Sequence, residues 1–254
     1  MIGHESIQKA FEKLEREDSL GHAYLFFGDS QIGKASFAEC VASYIEKGIF
    51  EVSETQLIDS TLFLPNEKGN IGIDEVRSIR RFLWQTPLSS KKRIAIIDGA
   101  ESLTNEAQGA MLKIVEEPPK HGLIIFVTHD PSAIVSPLVS RCSKVYFSRL
   151  SAQKIEKYLI DEKKISKTVA HEVALRSYGR IGRALRLLNK ETKSPENLSE
   201  EIIERIIELR EAGVEKNSSK LVWLLERESL IARFNVNPNI QKKAVEYVAS
   251  RSYN

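Results

Sequence analysis

The sequence predicts an α/β fold with a parallel sheet, followed by helical domains. Three short apolar segments, at residues 23–27, 93–98 and 123–127, are typical of strands that are buried on both faces of a sheet. Between them, apolar residues recur every three or four positions, which is the spacing of amphipathic helices. After Leu150 no further apolar strand follows, so the rest of the chain is expected to be helical.

The elements of the first domain follow from local patterns. In chain order they are a helix at 6–14, a strand at 23–27, a helix at 37–45, a strand-like segment at 56–64, a helix that begins at 73, a strand at 93–98, a helix at 107–115, and strands at 123–127 and 144–147. Asp74 is the expected N-cap of the third helix, because a carboxylate can accept a hydrogen bond from the free amides of a first turn. Pro118 and Pro119 should end the fourth helix.

Two helical domains are expected after this one. Helical patterns at 151–159, 168–176 and 183–188 predict a small lid domain over residues 150–190, after an α/β domain of residues 1–149. Patterns at 202–207, 221–225 and 238–250 predict a helical C-terminal domain over residues 191–254. The segment 149–190 holds eleven Lys/Arg and four Asp/Glu, a net charge of +7, which suits either a solvated surface or a basic face toward nucleic acid or an acidic neighbour.

Composition limits the protein class. The net charge of +2 over 254 residues does not indicate that the chain as a whole binds nucleic acid. No stretch of about 18 apolar residues predicts a membrane helix, and the N-terminus lacks the pattern of a signal peptide, so a cytoplasmic location is expected. Cys40 and Cys142, the two cysteines, are too few for a four-cysteine zinc site and are expected to be small, half-buried residues. No metal site is predicted.

A phosphate-binding loop is indicated at residues 28–36, which read Gly-Asp-Ser-Gln-Ile-Gly-Lys-Ala-Ser. This is the spacing of a P-loop, Gly-x-x-x-x-Gly-Lys, and it lies between a predicted strand and a predicted helix, as a P-loop requires. Backbone amides and the lysine of such a loop bind phosphate. The predicted nucleotide-binding residues are Gly28, Gly33, Lys34, Ala35, Ser36, Asp98 and Thr128. The alternative is a relic loop that binds nothing.

Two groups that nucleotide hydrolysis needs are missing from this site. Ala35 stands where a P-loop usually has Ser or Thr, whose hydroxyl holds Mg²⁺. Gly99 follows Asp98 at the end of the second apolar strand, where an active ATPase of this kind usually has a glutamate that activates water. Because each loss removes a group that positions metal or water, self-catalysed turnover is not expected.

The segment 105–119, Asn-Glu-Ala-Gln-Gly-Ala-Met-Leu-Lys-Ile-Val-Glu-Glu-Pro-Pro, resembles the clamp-loader sequence NALLKTLEEPP. Further matches to the same family, in the same order, lie at residues 2–5, 22–26, 71–77 and 140–142. The chain is therefore similar to the bacterial clamp-loader AAA+ proteins over about residues 1–190. It departs from them at Gly109, where the family has Asn, and it lacks the four cysteines of the family's zinc module.

This resemblance implies an AAA+ P-loop domain, a helical lid and a short collar-like domain. In the lid segment 179–185, Gly182 stands where the hydrolysing gamma/tau subunits have a phosphate-sensing arginine, so the chain resembles a non-hydrolysing subunit of the DNA polymerase III clamp loader. Arg141, in the Ser-Arg-Cys motif of residues 140–142, would then be an arginine finger that acts in trans on a neighbouring ATPase subunit. The alternative for Arg141 is a surface arginine in a local ion pair.

The partners that the resemblance implies are the gamma/tau and delta clamp-loader subunits. Contact with the sliding clamp and primer-template DNA would occur through the complex, which belongs to a DNA-directed DNA polymerase holoenzyme, and no membrane is implied. No cofactor is required in this interpretation, although ATP or ADP can bind without hydrolysis. Two other functions stay open on the sequence: a catalytically active AAA+ ATPase subunit of gamma/tau type, and a small-molecule P-loop kinase.

Overall fold

A computed structural model of the chain describes residues 2–188 and 222–224. The chain divides into two units, Met1–Leu188 and Asn189–Asn254. In the second unit only Val222–Leu224 are described, and they are helical. The predicted helices at 202–207 and 238–250 lie outside the described residues, as does the rest of the helix predicted at 221–225. Among the described residues, no helix has the length and apolar character needed to cross a membrane.

The first unit contains a five-stranded parallel sheet, which confirms the predicted fold class. The strands are β1 (Ala23–Phe27), β2 (Ser60–Phe63), β3 (Arg93–Asp98), β4 (Gly122–Thr128) and β5 (Ser143–Tyr146), in the spatial order β2-β3-β4-β1-β5. In the register of the sheet, Phe27 pairs with both Thr128 and Tyr146. The carboxyl ends of β1, β4 and β5 therefore meet at one edge.

Helices cover both faces of this sheet. The helices of the first unit are, in chain order, α1 (Glu5–Arg16), α2 (Lys34–Lys47), α3 (Ile73–Leu83), α4 (Asn105–Glu116), α5 (Ser136–Ser140), α6 (Ala152–Asp161), α7 (Lys167–Arg176) and α8 (Ile181–Leu188), and the first four supply most of this cover. One core packs side chains of α3 and α4, such as Ile79 and Met111, against strand residues such as Phe126 of β4. The other includes side chains of α1 and α2, such as Phe11 and Phe37.

A third apolar cluster holds α6, α7 and α8 together. Leu150, Ile155, Leu159 and Ile181 are buried in it. These helices lie in the same unit as the sheet. The three predicted lid helices are confirmed as helices, while the division into domains at residues 149 and 190 stays a prediction.

Four local predictions need correction. The strand-like segment predicted at 56–64 is a strand only over Ser60–Phe63. The N-cap of α3 is Gly72, not Asp74, and the Gly72 amide donates to the carboxylate of Glu75 in the first turn at 2.9 Å. Cys40 and Cys142 are free and buried rather than half-buried. The last strand begins and ends one residue before the predicted range of 144–147.

A buried carboxylate organises the amino-terminal edge of the sheet. Asp59 precedes β2, is 0% exposed, and accepts hydrogen bonds from the amides of residues 88–90 at 2.6–2.8 Å. The Arg93 guanidinium donates to the same carboxylate at 2.6 Å. Burial raises the pKa of Asp59, but these four donors outweigh it and hold the pKa below its usual value. The turn before β3 is thereby tied to β2 and β3.

We expect Asp59→Ala to lower the free energy of unfolding by about 3–5 kcal/mol, because it leaves the Arg93 charge and three amides without their acceptor. The matched control is Asp74→Ala, which removes an exposed ion pair to Arg77 and should cost below about 1 kcal/mol. Urea denaturation of the three proteins measures both changes. Equal losses in the two variants would contradict the role given to Asp59.

Candidate nucleotide-binding site

The loop of residues 28–33 connects β1 to α2 at the carboxyl edge of the sheet. Gly28 has φ +139°, and a Cβ there would lie 2.3 Å from the carbonyl oxygen of Phe147, so no larger residue fits. Gly33 is the N-cap residue of α2 and has φ +93°. The two glycines let the loop turn tightly and bring the amino end of α2 toward the space above the sheet.

A cavity of about 830 Å³ lies over this loop. Of the predicted nucleotide-binding residues, the cavity is lined by Gly33, Lys34, Ala35, Ser36, Asp98 and Thr128. Gly28 is not among the lining residues and contributes through the shape of the loop. Tyr158 of α6 and Leu185 of α8 also line the cavity. The structure therefore brings six of the seven residues together around one cavity, while their role in binding stays a prediction.

Lys34 is nearly buried at this cavity, with 6% of the residue exposed. Its Nζ donates to the carbonyl oxygens of Gly28 at 2.8 Å and Asp29 at 2.6 Å. Burial lowers the pKa of Lys34 to about 8, although the nearby carboxylates of Glu101 and Asp98 act in the opposite direction. An anion in the cavity would favour the charged ammonium, so Lys34 has the properties of a phosphate ligand.

The position that should hold the water-activating acid is closed to it. Gly99 has φ +76°, and a Cβ there would lie 3.1 Å from Cγ of Pro65. A glutamate at this position would need both a left-handed backbone and a shift of that proline. Asp98 itself lines the cavity, and burial followed by the charge of Glu101 raises its pKa.

Glu101 is a further acid in the cavity that no local pattern in the sequence indicates. Glu101 and His129 both line it, and Oε1 of Glu101 lies 2.6 Å from Nδ1 of His129. Burial opposes the charge on Glu101, but His129 and the Thr128 hydroxyl outweigh it and lower the pKa of that carboxyl. The hydrogen bond to Glu101 in turn raises the pKa of His129. The other carboxylate oxygen, Oε2, is buried without a hydrogen-bond partner among the described residues.

The helix α8 packs directly on the phosphate-binding loop. The amide of Gly182 donates to the carbonyl oxygen of Gln31 at 2.8 Å. A Cβ at Gly182 would lie 3.1 Å from both Cβ and the carbonyl oxygen of Gln31. An ion pair between Arg149 and Asp29 adds a second link between the loop and the segment after β5. The absence of a side chain at Gly182 therefore permits this close approach of α8 to the loop.

Arg141 lies away from this cavity. It follows α5 and precedes the edge strand β5, and 41% of its side chain is exposed. Its Nη1 donates to the carbonyl oxygen of Pro137 at 2.9 Å, and its Nη2 lies 2.8 Å from Oε1 of Glu116. The structure therefore contains the local ion pair considered as the alternative for Arg141, and it does not place Arg141 among the residues that line the cavity of its own chain.

A parallel five-stranded sheet, a P-loop after β1 and a helical cluster over the loop define a P-loop protein of the AAA+ class. Within that class, residues 3–151 match the family described as DNA polymerase III, delta subunit. Since this match covers more than half of the sequence, the chain belongs to that family of clamp-loader proteins.

Individual relatives agree with this assignment. DNA polymerase III subunit tau of Bacillus subtilis is 30% identical over 61% of this chain and 30% of its own length. Subunit gamma/tau of Mycoplasma genitalium is 29% identical over 74% of this chain and 34% of its own length. Subunit delta' of Bacillus subtilis is 30% identical over 58% of this chain and 48% of its own length. The chain thus spans less than half of each of these proteins.

Solved structures support the fold. A gamma-subunit-related protein of Thermotoga maritima aligns with a TM-score of 0.56 at 16% identity, over 95% of this chain and 99% of its own. The RuvB Holliday junction branch migration motor of Thermotoga maritima aligns with a TM-score of 0.55 at 17% identity, over 74% of this chain and 61% of its own. At this level of identity the likeness concerns the fold alone.

Two glycines on helices should respond oppositely to alanine. At Gly109 of α4 a Cβ would meet nothing within 4 Å, so Gly109→Ala should raise the free energy of unfolding by about 0.5–1 kcal/mol. Gly182→Ala should instead lower it by about 1 kcal/mol, because the new methyl group pushes α8 off Gln31. Denaturant titrations of both variants test this, and a gain in stability at Gly182 would show that α8 does not depend on the contact.

The Glu101–His129 pair predicts a pH-dependent signal. Because the pKa of His129 is raised in the folded protein, protonation of His129 stabilises the fold below its ordinary pKa of about 6.5, and this contribution is lost as pH rises through the raised value. An NMR titration should show the His129 midpoint above its ordinary value of about 6.5, and Glu101→Gln should lower it. Glu106→Gln, at an exposed carboxylate, is the control, and an unchanged midpoint in Glu101→Gln would exclude the pairing.

Proposed function

We propose that the chain is a non-hydrolysing, delta-prime-type subunit of the DNA polymerase III clamp loader. In this function it helps to load the sliding clamp onto primed DNA and supplies Arg141 to the ATP site of a neighbouring subunit. Family membership supports the first part, because the relatives are named as DNA polymerase III subunits. The gamma/tau and delta subunits are the proposed partners, with contact to clamp and primer-template DNA through the complex in the cytoplasm.

One observation carries the proposal: the cavity retains a phosphate loop but has small residues where turnover needs functional groups. Ala35 provides no hydroxyl for Mg²⁺, and Gly99 provides no carboxylate for water. Gly182 provides no charge from the lid and is packed against Gln31. Each missing group that positions metal, water or phosphate costs orders of magnitude in rate.

Nucleotide binding without turnover fits the same cavity. Lys34 and the amides that begin α2 present positive potential to a phosphate, and the cavity volume of about 830 Å³ is large enough for a nucleotide. We therefore include ATP or ADP as a ligand that binds without hydrolysis. The subunit's role in the complex does not require it.

Arg141 is suited to act on a partner because it is half-exposed and lies outside the cavity of its own chain. It is positioned beside the edge strand β5, at a boundary of the sheet. A guanidinium supplied in trans stabilises charge on a transferring phosphoryl group and can raise the rate by about 10³–10⁵. The same residue would be of no use to the chain's own nucleotide.

A catalytically active ATPase of gamma/tau type is the second candidate, and Glu101 favours it. Its carboxylate lines the cavity, and Oε1 of Glu101 lies 2.6 Å from Nδ1 of His129. Glu101 therefore resembles a general base, although it lies two residues after position 99, where an active ATPase of this kind has its glutamate. Turnover by the isolated chain separates the two candidates. Family membership favours both of these candidates over the small-molecule kinase.

The arginine finger is tested in the assembled complex. We expect Arg141→Ala to leave the fold and the assembly intact, because its loss leaves no core cavity, and to lower clamp-stimulated ATP turnover partially, because it serves one of several ATP sites. Arg141→Lys should restore little, since an ammonium lacks the planar fork that binds two phosphate oxygens. Steady-state phosphate release is measured on complexes with gamma/tau and delta whose size has been verified.

The control is Arg176→Ala, which removes a basic residue of α7 that forms an exposed ion pair with Glu172 and should leave the rate unchanged. An unchanged rate in a fully assembled Arg141→Ala complex would remove Arg141 from the mechanism. The chain would then act by shape and contact alone.

A further inference from the structure

The side chain of Arg141 is held by a carboxylate from another helix. Glu116 is the last residue of α4, and its Oε1 lies 2.8 Å from Nη2 of Arg141. The carbonyl oxygen of Pro137 accepts from the second terminal nitrogen, Nη1, at 2.9 Å. Both terminal nitrogens of the guanidinium, which a phosphate would use, are therefore engaged within the chain.

Glu116 lies where a helix disfavours an acid. The carboxyl end of a helix carries partial negative charge, so a carboxylate in the last turn is destabilising and a cation there is stabilising. Arg141 offsets this cost through the ion pair. The position of the acid is therefore explained by its contact with the arginine better than by any benefit to α4.

We propose that Glu116 is a positioning residue that holds Arg141 until the phosphate of a neighbouring subunit displaces it. This inference rests on the proposed function of Arg141 and specifies how that function is regulated. Glu116 offers one carboxylate oxygen to Nη2 of Arg141, and a phosphoryl oxygen is a charged acceptor of the same kind, so one can replace the other at the same donor. The phosphoryl group carries more negative charge and is favoured once it is close.

The exposure of the pair makes such an exchange feasible. The side chains of Arg141 and Glu116 are each 41% exposed, so water screens their attraction. The Asp59–Arg93 pair in the same chain shows the opposite case, because both of its side chains are buried. A pair of that kind is costly to break, whereas the Glu116–Arg141 pair opens at little cost.

The test uses the complete chain assembled with gamma/tau and delta subunits, and it measures ATP turnover without and with clamp and primed DNA. Glu116→Gln should raise the basal kcat about two- to fivefold, equal to about 0.4–1 kcal/mol at 1.36 kcal/mol per tenfold, with KM for ATP unchanged. The stimulated rate should stay the same, because the phosphate has already displaced Glu116 there. Glu117→Gln, which changes the adjacent exposed carboxylate, should have no effect.

A double variant identifies the cause of any change. In an Arg141→Ala background, Glu116→Gln should no longer raise the basal rate, whereas a merely structural role of Glu116 would persist there. An unchanged or lowered basal rate, an equal effect of Glu117→Gln, or persistence without Arg141 would overturn the holding role while the finger function stands, provided that Arg141→Ala lowers the stimulated rate. If Arg141→Ala leaves that rate unchanged, both proposals are overturned.

Discussion

The parallel register at the carboxyl edge of the sheet is the constraint on which the site depends. Phe27 pairs with Thr128 on one side and with Tyr146 on the other, so β1, β4 and β5 end level with one another. The loop that leaves β1 must then pass beside the segment that leaves β5, and Gly28 passes so close to Phe147 that no side chain fits between them. A register shift of one residue would move the phosphate loop away from Thr128.

Contacts at the carboxyl edge of the sheet also bring α8 close to the phosphate-binding loop. The chain leaves β5 and forms the Arg149–Asp29 ion pair, and the amide of Leu150 then donates to the carbonyl oxygen of Gly179 at 2.9 Å. These contacts place the start of α8 over Gln31. The helix α8 thus rests on the loop backbone through the hydrogen bond from the Gly182 amide to the Gln31 carbonyl oxygen.

Local patterns in the sequence predict the strands and the phosphate loop, because these features depend on residues close together in the chain. Continuous apolar segments predict β1, β3 and β4 because both faces of a parallel strand are buried, and the Gly-Lys spacing predicts the loop because phosphate binding requires it. The pattern is weaker at β2, an edge strand of four residues with little burial, so the bounds predicted for it are too wide. The five-residue helix α5 gives too few turns for a periodic pattern.

Contacts between residues that are far apart in sequence could not be predicted. Glu101 reaches His129 only because β3 and β4 are neighbours and a left-handed glycine turns the chain back after β3. The Glu116–Arg141 pair likewise depends on how α4 packs against α5. The contacts of Arg141 and Glu101 therefore depend on tertiary structure and not on local sequence.

ATP turnover by the isolated chain tests the central claim most directly, because Glu101 favours activity whereas Ala35, Gly99 and Gly182 oppose it. Phosphate release is followed with the purified chain at saturating ATP and Mg²⁺, with Lys34→Ala as the reference. We expect the purified chain to release no more phosphate than Lys34→Ala does. Turnover near one per second that disappears in Lys34→Ala or Glu101→Gln would contradict it and identify an active ATPase.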